Sequence, residues 1–295
     1  MKEGIYLRKI LITGSNSYVG NSFGNWMSQW QDRYICDTLD MKDTEWKNYD
    51  FSGYEIVFHV AGIAHVDTKH ATNEIKEIYY KVNRDLAIQT AKKAKEAGVK
   101  QFIFMSSIIV YGEASSLKDK KIITREVKPL PTNFYGDSKL QAEKGILSMQ
   151  SVDFNVVVLR PPMIYGKESK GNYPKLAKLA RKTLVFPNIQ NQRSMLHIDN
   201  LCEFVKLMID NEESGIFYPQ NDEYTCTSEM VKIIASIHGK RIKLTKVFNL
   251  LLNILPFKII YKVFGTLIYD KEMSNYKRSY TIHKFKESIQ ITELK

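Results

Sequence analysis

The chain has 295 residues, 44% hydrophobic and 25% charged, a balance that excludes a disordered or fibrous chain and suits one large α/β domain plus a smaller one. The net charge is +11, and residues 240–295 carry 12 Lys/Arg against 4 Asp/Glu, so +8 of it sits in that tail. Cys36, Cys202 and Cys226 have neither metal-ligand nor disulfide-framework spacing, which fits a reducing compartment, a cytoplasmic location and no metal site.

The N-terminus runs almost directly into the first strand, so no signal peptide is expected. Lys9–Thr13 is a short apolar run followed by Gly14, Ser15, Asn16, Ser17, Tyr18, Val19 and Gly20, then a helical stretch through Trp30. This is strand, glycine turn, helix, the arrangement that presents free helix N–H groups to a pyrophosphate. Ser17 stands where a middle glycine is usual. Tyr34–Asp40 reads as the second strand. Asp40 lies 26 residues after Gly14, near the spacing at which an acid bonds an adenosine ribose. An acid there favours NAD over NADP, while Lys42 offsets the preference, so both cofactors stay open.

Ile56–Gly62 is a buried-strand pattern ending in the small residues Ala61 and Gly62, which leave room for a ligand at the strand's carboxyl end. His65 is taken as structural. Helical periodicity runs from Ile75 to Gly98, with Gly98 as its cap. Lys100–Met105 is the next strand, and it leads into Ser106 and Ser107. Residues 113–132 read as a loop.

The helix that follows contains Tyr135 and Lys139, four apart and so on one helical face. A lysine ammonium one turn from a phenol is expected to lower its pKa toward the range useful for proton transfer. Val156–Arg160 is a further strand. Strands alternating with helices imply a Rossmann-type doubly wound parallel sheet. Beyond Tyr165 shorter helices (173–182, 198–210, 228–238) alternate with extended pieces. We expect a nucleotide-binding domain over 1–165, with a strand and helix from about 190–210 returning to it. A smaller interleaved C-terminal α/β substrate domain is expected over 166–295.

Val247–Tyr269 is rich in Leu, Ile and Phe, but its longest charge-free run is 11 residues, Val247–Phe257, short of a membrane span. It reads as amphipathic cover for the second domain. The alternative is weak association of a basic tail with a membrane surface. No nucleic-acid motif is present.

Taken together, Thr13-Gly14 through Gly20, Phe58–Gly62, Tyr80–Asn83, Phe104–Ser107 with Val110–Gly112, Tyr135 to Lys139, and Leu159–Pro161 resemble the extended short-chain dehydrogenases/reductases that act on nucleotide sugars. Arg160–Gly166, Gly171–Tyr173 and Asn191–Ser194 resemble a narrower branch, bacterial capsule and O-antigen enzymes acting at C4 of UDP-N-acetylhexosamine derivatives. The resemblance implies Ser107, Tyr135 and Lys139 as catalytic residues, with Ser107 and Tyr135 also on the sugar. It implies Gly14, Ser17, Tyr18, Val19 and Gly20 on the pyrophosphate, Asp40 on the ribose, and Ala61, Gly62, Tyr135 and Lys139 beside the cofactor, NAD(H) or NADP(H). Asn172 and Arg193 would hold the UDP diphosphate, and a homodimer is implied. Ser107 is followed by Ile108 and Ile109, where related dehydratases carry an Asp-Glu pair, which argues for redox at C4. The implied activity is reduction of a UDP-2-acetamido-2,6-dideoxy-hexos-4-ulose, with a UDP-N-acetylhexosamine/UDP-hexose 4-epimerase retaining NAD as the alternative.

Overall fold

The computed structural model describes residues 7–294 apart from 65–70, 115, 118, 119, 248, 250, 251 and 253–257. His65 and most of the run 247–257 therefore lie outside the described residues. In chain order the elements begin with β1 (Arg8–Thr13), α1 (Tyr18–Met27), β2 (Tyr34–Leu39), β3 (Ile56–His59) and α2 (Asn73–Tyr80). There follow α3 (Leu86–Glu96), β4 (Gln101–Met105), β5 (Lys121–Ile123), α4 (Phe134–Leu147), β6 (Asn155–Leu159) and β7 (Met163–Tyr165). Next come α5 (Asn172–Ala180), β8 (Val185–Pro187), β9 (Met195–His197), α6 (Ile198–Asp210), β10 (Gly215–Phe217), α7 (Thr227–Ile237), β11 (Lys243–Thr245) and β12 (Leu267–Tyr269). The last helix is Phe285–Leu294.

The chain divides into two compact units, the first comprising Met1–Gly112, Pro129–Pro161 and Leu201–Phe217. Its sheet has the order β10-β6-β4-β3-β1-β2, with every pair parallel. The central strands are short apolar runs because both faces are covered: all four residues of β3 and all five of β4 are buried. Alternate residues face opposite layers. Leu11, Val57, Phe102, Phe104, Val156 and Val158 meet an alanine stripe of α3 (Ala87, Ala91, Ala94) with Ala142 and Ile146 of α4. On the other face Phe23 of α1 packs edge-on against Phe58, ring centroids 5.0 Å apart. Trp26 of α1 donates to Glu203 of α6 at 3.2 Å. This is the doubly wound parallel sheet expected from the strand–helix alternation.

The sheet ends at β2, an edge strand in which only Tyr34 is buried. Between β2 and β3 the chain makes a single 3-10 turn, Glu45–Lys47, with Trp46 buried. The helical pattern read over 75–98 resolves into α2, a π-helical turn Lys81–Asp85, and α3. Gly98, at φ +79°, ends it.

The second unit comprises Glu113–Lys128, Pro162–Asn200 and Tyr218–Lys295. It holds three parallel two-stranded pairs, β5–β12, β7–β9 and β8–β11. Its core gathers Tyr165, Tyr173, Phe186, Met230, Phe264 and Phe285. The stretch read as a loop thus contains a strand, and that strand belongs to this unit. No helix among the described residues is long and apolar enough to cross a membrane.

Candidate active site

The glycine turn follows β1 directly. Gly14 has φ +103°, and a Cβ there would lie 2.8 Å from the Ala61 nitrogen, so no side chain fits. Gly14 N–H and Ser15 N–H both donate to the Leu39 carbonyl, at 2.8 and 3.1 Å, which fixes the turn beside the end of β2. Ser17 is the N-cap of the ten-residue α1, and its Oγ accepts from Gly20 N–H at 3.0 Å. Serine in place of the middle glycine therefore has a local reason: it takes one of the first helix N–H groups and leaves those of Tyr18 and Val19 for a ligand.

Asp40 is exposed at the end of β2. It accepts from the Lys42 backbone N–H at 3.0 Å, and that bond, helped by the Ser15 hydroxyl, holds its carboxyl below the usual range. An ionised acid thus stands next to the glycine turn. Gly62 is exposed, and a Cβ there would meet Asn83 Oδ1 at 3.0 Å and Lys139 Nζ at 3.2 Å. The bare backbones of Gly14 and Gly62, the capped helix start and the carboxylate form a cradle that fits a dinucleotide.

The Ser107 and Tyr135 hydroxyls lie side by side, the serine hydroxyl close enough to act on the phenol. Ser107 sits past the end of β4 in extended backbone and caps the 3-10 turn Ile108–Tyr111, with Ile109 N–H donating to its Oγ at 3.3 Å. Tyr135 is on the first turn of α4, whose N-cap Asn133 accepts from Gly136 N–H at 2.8 Å. Gly136 is required there, because a Cβ would fall 2.7 Å from the Ile109 carbonyl oxygen. That close approach brings α4 against the serine turn.

Lys139 is buried and donates to the Met105 carbonyl at 2.9 Å, its ammonium 4.7 Å from the Phe104 ring centroid. Here the structure departs from the expectation of a lowered phenol pKa. Burial pushes Tyr135 up to about 12, with the Ser107 hydroxyl working the other way. Burial also pulls Lys139 down to about 8, opposed by Glu143. The physical reason is desolvation, which penalises both phenolate and ammonium.

Three supporting residues were not singled out from the sequence. Asn83, fully buried in the π-helical turn, pairs with Ile63 through both amide atoms, at 2.9 and 3.0 Å. It so fixes the strand exit beside Gly62. Glu143, one turn beyond Lys139, forms a buried ion pair with Arg160 at 2.6 Å and accepts from the Ser106 hydroxyl. Arg160 Nη1 also donates to Tyr111 Oη at 2.7 Å. The i, i+4 spacing of Lys139 and Glu143, with the Arg160-Pro161 pair, was the available signal.

Asn172 and Arg193 belong to the second unit. Asn172 is exposed at the start of α5, after Gly171 at φ +101°. Arg193 donates to the Gly265 carbonyl at 3.1 Å, and its backbone pairs with Thr225. Burial lowers the Arg193 guanidinium to about 10, with Glu113 opposing.

Residues 10–218 match the NAD dependent epimerase/dehydratase family. A UDP-glucose 4-epimerase from Vibrio cholerae is 29% identical over 280 residues, 88% of this chain and 83% of the relative. An N-acetyl-α-D-glucosaminyl-diphospho-ditrans,octacis-undecaprenol 4-epimerase from Escherichia coli O157:H7 is 29% identical over 61% of this chain and 53% of its own length. The fold is shared with a dTDP-4-dehydrorhamnose reductase from Clostridium acetobutylicum (TM-score 0.75, 18% identity, 96% and 98% of the two chains). It is shared too with a mutant UDP-glucuronic acid 4-epimerase from Bacillus cereus in complex with UDP-4-deoxy-4-fluoro-glucuronic acid and NAD (TM-score 0.72, 17% identity, 97% and 98%). With a glycine-turn cradle, a Ser–Tyr–Lys group and a family match over residues 10–218, the chain belongs to the NAD dependent epimerase/dehydratase family and is an NAD(P)-dependent enzyme.

Proposed function

We propose that the enzyme reduces the C4 keto group of a UDP-2-acetamido-2,6-dideoxy-hexos-4-ulose, with Tyr135 as the acid. The juxtaposition of the Ser107 and Tyr135 hydroxyls carries the reading: a sugar O4 placed between them would accept from both. Burial keeps the phenol protonated across neutral pH, the form that delivers a proton to a ketone oxygen. Ser107 holds O4 within reach, and general acid catalysis of this kind contributes about 10²–10⁴-fold. Lys139 and Asn83 border Gly62 and orient the cofactor ribose. Gly14, Ser17, Tyr18, Val19 and Gly20 hold its pyrophosphate, Asp40 its adenosine ribose, and Ala61 and Gly62 its inner edge. The bound nicotinamide supplies hydride chemistry at C4. Asn172 and Arg193 take the UDP diphosphate, for which the planar arginine fork is suited.

A second reading, 4-epimerisation with retained NAD, is favoured by the likeness to the Vibrio cholerae UDP-glucose 4-epimerase. Both readings use the same groups. The test is to mix purified enzyme, NADPH or NADH and a UDP-4-keto-6-deoxy-N-acetylhexosamine. Consumption of the reduced cofactor is expected, with a loss on the order of 10²–10⁴-fold in Tyr135→Phe and cofactor binding kept. A flat cofactor signal, with UDP-N-acetylglucosamine and UDP-N-acetylgalactosamine interconverting without added cofactor, refutes the reductase and leaves the epimerase.

A further inference from the structure

Within the second unit, away from the Ser107 group in sequence, two histidines and two carboxylates meet. His197 ends β9 and Asp199 lies in the first turn of α6. His283 precedes the last helix, which carries Glu287 and Thr292. The side-chain donor atoms of His197, Asp199 and His283 all lie within 4.8 Å of one another. Asp199 Oδ2 is 3.1 Å from His283 Nε2 and 3.8 Å from His197 Nδ1.

The hydrogen bonds around His197 set its tautomer. His197 Nδ1 accepts from the Asp199 backbone N–H at 3.3 Å, so that nitrogen carries a lone pair. Its Nε2–H is then left for Thr292 Oγ1 at 3.4 Å. Thr292 is free to accept, because its own hydroxyl donates to the Ser288 carbonyl at 2.7 Å. His283 has a carboxylate on each ring nitrogen: Glu287 Oε1 at 3.3 Å from Nδ1 and Asp199 Oδ2 at 3.1 Å from Nε2. A neutral imidazole has one N–H. With that N–H given to Glu287, the Nε2 lone pair stands on the side of the Asp199 carboxylate, where a cation would take both donors. Two imidazole nitrogens and one carboxylate oxygen thus lie within 4.8 Å of one another, and a metal on His197 Nδ1 would replace its long bond from the Asp199 N–H.

We infer that His197, Asp199 and His283 bind a divalent transition-metal ion, zinc by donor chemistry, which clips the helix Phe285–Leu294 to the β9–α6 junction. Zinc takes imidazole nitrogen and carboxylate oxygen at ~2.0–2.2 Å in tetrahedral geometry, which sets neighbouring donors about 3.4 Å apart. The 3.1 and 3.8 Å separations bracket that value. Glu287 on the far nitrogen of His283 and Thr292 on the far nitrogen of His197 are the outer partners that hold such ligands in orientation. Three protein donors leave a fourth position for water. His283 also lines a cavity of about 230 Å³ with Asp222 and Glu223, an acidic approach against which Lys284 is set. No short-range spacing signalled the site, because Asp199 and His283 stand 84 residues apart.

The test uses untagged full-length protein, stripped with chelator, dialysed and titrated with zinc alone. Bound metal is measured by elemental analysis and calorimetry, and Co²⁺ is substituted to report coordination through its d–d absorption. One equivalent of zinc is expected, with a metal-dependent rise in Tm and a tetrahedral cobalt spectrum. Asp199→Asn and His283→Ala should each lose that equivalent, and Glu287→Gln should weaken it about 10–100-fold. These three positions are at least partly exposed, and circular dichroism checks that the variants fold. Wild-type protein that takes up no zinc overturns the inference. Asp199→Asn and His283→Ala that bind zinc as tightly as wild type also overturn it, placing the metal elsewhere, as on Cys36 or Cys226.

Discussion

Replacing Glu143 by Met removes the counter-charge of Arg160 from a site with almost no access to water. The two side chains are 1% and 5% exposed. The guanidinium gives Glu143 three contacts, at 2.6, 3.1 and 3.2 Å. Breaking one side of such a buried pair costs about 3–5 kcal/mol, because the remaining charge keeps its desolvation penalty. Replacing both partners with apolar residues of similar volume removes that penalty. Glu143→Met/Arg160→Met should then cost only about 1–2 kcal/mol, for the partners lost to Ser106 and Tyr111. The double-mutant cycle should show a coupling of several kcal/mol. Urea unfolding followed by tryptophan fluorescence is the assay, since the three tryptophans Trp26, Trp30 and Trp46 all lie in the first unit. A single variant within about 1 kcal/mol of wild type, or an additive cycle, refutes the argument.

Lys139 gives a pH prediction. Its folded value, about 8, lies below the ordinary 10.5, so between those pH values the unfolded state binds more protons and stability rises with pH. The gain is present in full above about 10.5 and is lost as pH falls through about 8. Its size is on the order of 3 kcal/mol. Lys139→Met should remove this component, seen as the wild-type minus variant difference in urea midpoints from pH 7 to 10; an unchanged difference refutes it. Gly14→Ala places a methyl against the Ala61 backbone at φ +103° and should cost roughly 1–3 kcal/mol and weaken cofactor binding by calorimetry. Ser17→Ala removes the α1 cap and should cost about 1 kcal/mol, read from the same unfolding curves.

The first unit was legible because its signals are local. β1, the glycine turn and α1 follow one another within 20 residues, Arg8 to Met27, and each period is set by neighbours. Ser107, Tyr135 and Lys139 were readable for the same reason, as one strand exit and one helical turn. What escaped depends on contacts distant in sequence. The π-helical turn at Asn83 lies inside an unbroken helical pattern, and the change in register that turns Asn83 toward Ile63 leaves no mark on hydrophobic period. β5 is three residues long, too short to show alternation. The raised phenol of Tyr135 reflects burial, which the i, i+4 spacing of Tyr135 and Lys139 does not reveal.

The pairing of β5 with β12 has a consequence for how the protein is made. Lys121–Ile123 leaves the ribosome early, but its parallel partner Leu267–Tyr269 is synthesised about 144 residues later, roughly 7–30 s at ordinary elongation rates. During that interval Ile122 and Ile123 have no strand to lie against, while β1 to β4 are already complete. The first unit also waits for Gly215–Phe217, whose pairing with β6 finishes its sheet. Synthesis order therefore completes the cofactor half first and delays the second unit until the last thirty residues emerge. A nascent chain stalled just before Leu267 should bind dinucleotide yet remain open to proteolysis at residues 113–128.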